Sequence, residues 1–406
     1  MILLPEIETN TIAVKITNKA EKKVRQRHPW IFDGSITKQN REGVSGDLAI
    51  LYSQKSKKLL AVGLWDQESP IRIKLIEFLK PVRLTKEWFR NTVAKAFKKR
   101  EELLQTDTNA YRLLFGENDQ MPGFIADVYN RVIVIKLYSA CWFPYLKDIL
   151  EVLQEIPNVQ TGVLRLSRKL QSYSQKNYGL IDGTILFGIL DNPTIIFKEH
   201  GIQFSANVID GHKTGYFLDH RENRRKVGIL SQNKSVLDVF SYAGGFSVHA
   251  LAGGAASVIS IDISKQALLL AEQNASLNQH QGTHTTIAKD AFVALASLKK
   301  EQRQFDIVVI DPPAFAKKES EVIKAIQMYR RLTKLGAALV KKNGILVMAS
   351  CSSRVTREVF YTEVENTLIH SGYTFTILEK TAHDTDHPIT FPEGAYLKTG
   401  YYRIDS

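Results

Sequence analysis

The chain has 406 residues, 44% apolar and 24% charged, the composition of a globular protein with room for two or three domains. No apolar run approaches the roughly 20 residues that span a bilayer, and the opening MILLPEIETN lacks the basic stretch of a secretory signal. Two cysteines, Cys141 and Cys351, are too few for a disulfide scaffold or a cysteine-built zinc site, so no metal is expected and a reducing cytoplasm is the simplest location. The net charge of +12 suits a polyanionic partner, although surplus base can also serve solubility alone.

Residues 11 to about 80 read as short strands (TIAVKIT, GDLAILYS, LLAVGLWD, IRIKLIEF) punctuated by Gly34, Gly43, Gly46 and Gly63, a small all-β unit of barrel type. Lys15, Lys19, Lys22, Lys23, Arg25 and Arg27 crowd its start. Leu84 to Gln105 reads as one amphipathic helix, with Trp88, Val93, Phe97 and Leu104 on its apolar side and Lys95, Lys98, Lys99 and Arg100 on a basic face. From Tyr111 to about Ile195 the pattern is strands with one helix, FPYLKDILEVLQEI, a β-rich connecting domain. Within it Cys141, among aromatic neighbours, reads as structural.

From about residue 205 strands alternate with helices. SVLDVF, SVISIDI, TTIAKDA, FDIVVIDPP and GILVMASC read as strands, and SVHALAGGA, SKQALLLAEQNASLNQ, 292–300 and 318–341 as helices. Alternation of this kind predicts a doubly wound, mostly parallel sheet with its ligand beyond the carboxyl ends of the strands. The run VLDVFSYAGGF, residues 236–246, carries Asp238 on its strand and Gly244 and Gly245 in the turn before a helix. It is neither G-x-G-x-x-G nor a P-loop, which points away from NAD and ATP toward another adenosine-bearing cofactor. Asp262 closes the next strand, where a carboxylate suits ribose hydroxyls, or a plain N-cap. Asp290 is read as closing the third strand, with Phe292 able to cover an adenine; a helix N-cap explains Asp290 equally well. Asp311-Pro312-Pro313 ends the fourth strand on a rigid backbone that holds Asp311 at the rim. Cys351 lies just past the fifth strand, at the same rim, as a candidate nucleophile.

With these residues in hand, the chain resembles class I S-adenosylmethionine-dependent methyltransferases, and more closely the RlmI-like ribosomal RNA large-subunit cytosine-5 methyltransferases. KKVRQRHPWIFDGSI resembles the opening of that family's N-terminal PUA domain, RLLFGENDQMPGFIADVY its central acidic-Gly-Pro-Gly segment, and GHKTGYFLDHRENR the lead into its methyltransferase core. The resemblance implies an α/β chain divided into a PUA-like RNA-binding barrel (1–80), a β-rich α+β domain (81–198) and a doubly wound, Rossmann-like methyltransferase domain (199–406). It implies S-adenosylmethionine contacts from Lys213, Phe217, Asp219 and Arg221 at the methionine end, from Asp238, Phe240, Tyr242, Gly244 and Gly245 at the glycine turn, from Asp262 on the ribose, and from Asp290 and Phe292 on the adenine, with Pro312 and Pro313 beside the cofactor. Cys351 would add to carbon 6 of cytosine, and Asp311 would steady the flipped base at its ring nitrogen. Lys22, Lys23, Arg25 and Arg27 would hold RNA phosphates.

One departure is Ala314, where many RNA cytosine-5 methyltransferases carry a second cysteine; the base that removes the carbon 5 proton is thereby unassigned. Large-subunit rRNA is the expected partner, no membrane is expected, and a homodimer is left open. Two alternatives stand beside this reading: a guanine N-methyltransferase on the same fold, for which Cys351 is incidental, and a non-catalytic RNA-binding assembly factor.

Overall fold

The computed structural model describes residues 4–406; residues 1–3, at the start of the expected opening domain, lie outside the described residues. The chain forms two compact units. One comprises the described residues through Glu199 with 205–218 and 385–391, and the other comprises 200–204, 219–384 and 392–406.

Among the described residues the first unit holds a six-stranded and a five-stranded sheet. Residues 11–78 form a six-stranded sheet, antiparallel except that Thr11–Ile16 runs parallel to Leu48–Tyr52. Alternating Ile12, Val14 and Ile16 point into its core with Ala49, Leu51 and Ile73. One helix was not expected from the sequence. Asn18–Arg25 is capped by Thr17, whose hydroxyl accepts from the Ala20 N–H, and it buries only Ala20 and Val24. Two apolar residues in eight leave too weak a period to see.

Residues 110–187 form a five-stranded sheet packed against helices Lys86–Lys98, Leu146–Leu153 and Arg168–Tyr178 around Phe89, Val93, Trp142 and Leu150. The single helix expected over Leu84–Gln105 is two, Lys86–Lys98 and Glu101–Leu104. The break falls at Arg100, which is not on a solvated basic face. It is fully buried, its guanidinium donating to both Asp119 oxygens (2.6 and 3.2 Å) and to the Arg112 carbonyl. The third helix, Arg168–Tyr178, is also additional to the sequence reading. Cys141 is fully buried in this core, its thiol pushed up to about 12 by burial.

The second unit is built on a seven-stranded sheet: β1 (Ser235–Val239), β2 (Ser257–Asp262), β3 (Thr283–Ala288), β4 (Phe305–Ile310), β5 (Val340–Ser350), β6 (Phe375–Thr381) and β7 (Lys398–Ile404). Their order is β3-β2-β1-β4-β5-β7-β6. The first five are parallel, and β7 runs antiparallel to both β5 and β6. The order reverses between β1 and β4, the switch point at which an open α/β sheet binds its ligand. Both faces are covered, and Leu237, Val239, Val308, Ile310, Leu346 and Met348 form a continuous apolar core with helices 291–300, 322–337 and 357–370. The expected helix 318–341 is shorter, Val322–Ala337, because its last residues begin β5. Among the described residues no helix is long and apolar enough to cross a membrane.

Candidate active site

Strand register fixes the rim of the second unit. Val239 pairs with Ile261 and Ile310, and Ile310 with Met348. The residues that follow therefore emerge at one edge: Phe240 after β1, Asp262 at the end of β2, Asp311 after β4 and Cys351 after β5. Four residues distant in sequence meet there for a purely topological reason.

The turn after β1 is strained. Phe240 and Tyr242 have φ of 65° and 48°, and Gly244 has φ of 75°. Left-handed non-glycine residues each cost on the order of 1 kcal/mol or more and cluster at functional sites. Gly244 is required twice over, because a Cβ there would also lie 2.7 Å from the Ala271 Cβ. Asp262 braces the turn, its two oxygens accepting from the Tyr242 N–H (3.0 Å) and the Ser264 N–H (2.9 Å). Gly245 opens helix Gly245–Ala252.

Asp238 is buried within β1. Its Oδ2 accepts from the Ser247 N–H (3.0 Å) and hydroxyl (2.7 Å), while Oδ1 is buried and has no hydrogen-bond partner among the described residues. Burial raises its pKa to about 7, with the carboxylates of Asp311 and Asp262 adding to the effect. An orphaned buried acceptor beside a turn with no Cβ in the way fits a nucleoside cofactor that brings its own hydrogen-bond donors.

The adenine-side residues differ from expectation in position. The third strand ends at Ala288, so Asp290 does not close it; Asp290 caps helix Ala291–Lys300, Oδ1 accepting from Phe292 and Val293 (3.0 and 3.1 Å). A cap two residues past the strand looks the same in sequence as a strand-end carboxylate. Phe292 is half-buried, with the Arg331 guanidinium 4.5 Å from its ring centroid.

Asp219 accepts from the Tyr396 hydroxyl at 2.9 Å. Arg221 is fully buried and pairs with Asp384 at 3.2 Å. His220, between them, lies with Nε2 3.3 Å from Asp311 Oδ1. Burial opposes its protonation, but Asp311 and then Asp219 outweigh that, and its pKa stands above the ordinary imidazole value. The sequence reading passed over His220, although it sits inside the GHKTGYFLDHRENR segment. Lys213 and Phe217 belong to the first unit. Lys213 is exposed at φ 59°, its carbonyl accepting from Lys136, and Phe217 is 39% exposed.

Pro312 is buried and Pro313 exposed. Cys351 is half-buried, its Sγ donating to the Pro312 carbonyl at 3.6 Å. Burial pushes the Cys351 thiol up to about 12, and Asp311 and Asp219 push the same way, while Lys398 pulls it down. In the first unit Lys22, Lys23, Arg25 and Arg27 are all exposed on or just after helix Asn18–Arg25, with Arg25 paired to Glu21 at 2.6 Å.

Comparison with known proteins identifies the family. Residues 184–385 match the S-adenosylmethionine-dependent methyltransferase model and residues 14–78 a PUA-like domain. The chain is 38% identical to a ribosomal RNA large subunit methyltransferase of Deinococcus radiodurans over 407 aligned residues, 99% of each chain. It is 34% identical to ribosomal RNA large subunit methyltransferase I of Tolumonas auensis, covering 95% of this chain and 97% of that one. With the Escherichia coli protein of the same name it shares 31%, over 96% and 98%. Among solved structures, a Streptococcus mutans protein assigned as a SAM-dependent methyltransferase superposes with a TM-score of 0.81 at 22% identity, over 96% of this chain and 99% of that one. A further structure, assigned as a methyltransferase and complexed with S-adenosylhomocysteine, gives 0.80 at 21%, over 98% and 100%. The fold, the orphaned Asp238 acceptor and these full-length relatives together place the chain in the ribosomal RNA large subunit methyltransferase I family of PUA-containing methyltransferases, with S-adenosylmethionine as cofactor.

Proposed function

We propose that this protein methylates carbon 5 of a cytosine in large-subunit ribosomal RNA, through a transient bond between Cys351 and carbon 6 of the base. The substrate class rests on the printed names of the full-length relatives. The choice of cytosine rests on one observation: a thiol at the cofactor rim, touching the Pro312 carbonyl and lying near Asp311.

The bound cofactor supplies an electrophilic methyl group. Asp238, Tyr242, Gly244, Asp262, Asp290 and Phe292 would hold it, with Asp219 and Arg221 at its methionine end. Cys351 must lose its proton before it can attack, since a thiol at about 12 is neutral at physiological pH. Attack of the thiolate on carbon 6 makes carbon 5 nucleophilic enough to take the methyl group, and loss of the proton from the methylated carbon 5 then allows the Cys351–carbon 6 bond to break, releasing the thiolate. Asp311 steadies the ring nitrogen, and the His220 imidazole lies 3.3 Å from the same carboxylate. The exposed cations Lys22, Lys23, Arg25 and Arg27 contact phosphates. The same reading locates the protein in the cytoplasm and divides the chain at 1–80, 81–198 and 199–406, with the six-stranded sheet of residues 11–78 in the first segment and the five-stranded sheet of residues 110–187 in the second.

The high thiol pKa favours a second reading, methylation of a guanine nitrogen, which needs no thiolate. RNA containing 5-fluorocytosine separates the two. On the first reading a stable protein–RNA adduct forms in the presence of cofactor, and Cys351→Ala abolishes both adduct and methylation while binding cofactor normally. A Cys351→Ala protein that methylates at the wild-type rate refutes the covalent scheme.

A further inference from the structure

Lys398 is the most unusual charged residue in the second unit. It opens β7, opposite Ser350 at the end of β5, and is 1% exposed. Among the described residues no carboxylate pairs with it at ion-pair distance. Its ammonium instead donates to three main-chain carbonyls: Ser352, Val355 (2.5 Å) and Tyr396 (3.2 Å). Two of these belong to the turn that begins at Cys351, and the third to the residue whose hydroxyl binds Asp219. A buried cation with no carboxylate at ion-pair distance is costly, and a chain that needed only to tie down a turn could do so with a neutral donor. What the charge adds is a positive potential at the end of β5.

We propose that Lys398 is the positioning residue for Cys351, clamping the 351–355 turn and lending its positive charge to the Cys351 thiolate. The proposal rests on the reading of Cys351 as nucleophile. The charged and titratable groups around the pair are Asp311 and Asp219, which oppose the thiolate, His220, which faces Asp311 at 3.3 Å, Tyr329, whose hydroxyl meets Ser350 at 2.8 Å, and Arg357 and Glu358 beside Lys398. Of these, Lys398 is the cation that counters the two carboxylates at the thiol. Burial lowers Lys398 itself to about 8, so its charge is present at neutral pH and fades as the solution becomes alkaline.

The test is the alkylation rate of Cys351 by iodoacetamide, followed by peptide mass against buried Cys141, in wild type, Lys398→Met and Lys398→Arg. A neighbouring cation lowers a thiol pKa by at least about one unit, so Lys398→Met should alkylate about tenfold more slowly at pH 7, with the ratio shrinking toward one by about pH 9. Its methylation kcat should fall while the KM for S-adenosylmethionine stays the same. A role confined to holding the turn predicts the opposite, a loosened and more exposed thiol that reacts faster. Equal or faster alkylation in folded Lys398→Met overturns the proposal. If that variant does not fold, Lys398→Arg decides: alkylation within about threefold of wild type supports the role of the charge, and a tenfold loss in the folded protein overturns it. Should Cys351→Ala methylate normally while Lys398→Met still slows alkylation, the nucleophile reading fails and the effect of Lys398 on the thiol stands.

Discussion

Replacing Asp238 with asparagine isolates the cost of the charge beneath the turn after β1. Burial raises the Asp238 pKa from 3.8 to about 7, so the folded protein holds a proton there that the unfolded chain has released. A raised native pKa gives stability that is fully present below about 4 and lost as pH climbs to about 7, after which the loss is complete. At about 1.4 kcal/mol per pH unit, that interval amounts to about 4 kcal/mol as an upper figure. The amide of Asp238→Asn keeps an acceptor oxygen for the two Ser247 bonds (2.7 and 3.0 Å) and cannot ionise. The variant without cofactor should therefore match wild type below about pH 4 and exceed it by up to about 4 kcal/mol at pH 8. The probe must report on the second unit, and all four tryptophans (Trp30, Trp65, Trp88 and Trp142) lie in the first. Hydrogen exchange of peptides spanning 235–262 and 305–311, corrected for intrinsic rates at pH 6, 7 and 8, measures it directly, with tryptophan fluorescence as the control that should not move. Parallel pH dependences in the two proteins would refute the reasoning. Cofactor affinity should fall in the variant, the usual exchange of stability for function at a binding site.

Gly244→Ala places a methyl 2.7 Å from the Ala271 Cβ at φ 75°, and should weaken S-adenosylmethionine binding at least tenfold by calorimetry while costing about 1–3 kcal/mol of stability. Neutralising Lys22, Lys23, Arg25 and Arg27 together should weaken RNA binding and reduce the slope of log K against log salt by about 2 to 3, read from filter binding across salt concentrations. An unchanged slope would place the phosphate contacts elsewhere.

The order of elements in the second unit was legible because a parallel sheet covered on both faces must be written as apolar runs separated by helices, and SVLDVF, SVISIDI and FDIVVIDPP are such runs. Asp238, Gly244, Asp262, Asp311 and Cys351 could be singled out for the same reason, since each sits on or just past such a run. The sequence was less informative wherever the period is short or a residue has two uses. Helix Asn18–Arg25 buries two residues and left no pattern, and Asp290 is the same letter whether it ends a strand or caps a helix. Arg100 reads as surface base until Asp119, 19 positions away, is brought against it.

The chemistry of the rim was decided by tertiary structure alone. That Asp238 is an orphaned acceptor near neutrality, that His220 faces Asp311, and that Lys398 reaches the turn of Cys351 all depend on which strands lie side by side. The β5–β7 pairing in particular joins Ser350 to a residue 48 positions later with no local signal in either. Hydrophobic periodicity is written along the chain and survives in the sequence. Burial of a charge and its neighbours across a sheet is a property of the folded assembly, and only there does the thiol meet the two carboxylates and the lysine on which the proposed reaction turns.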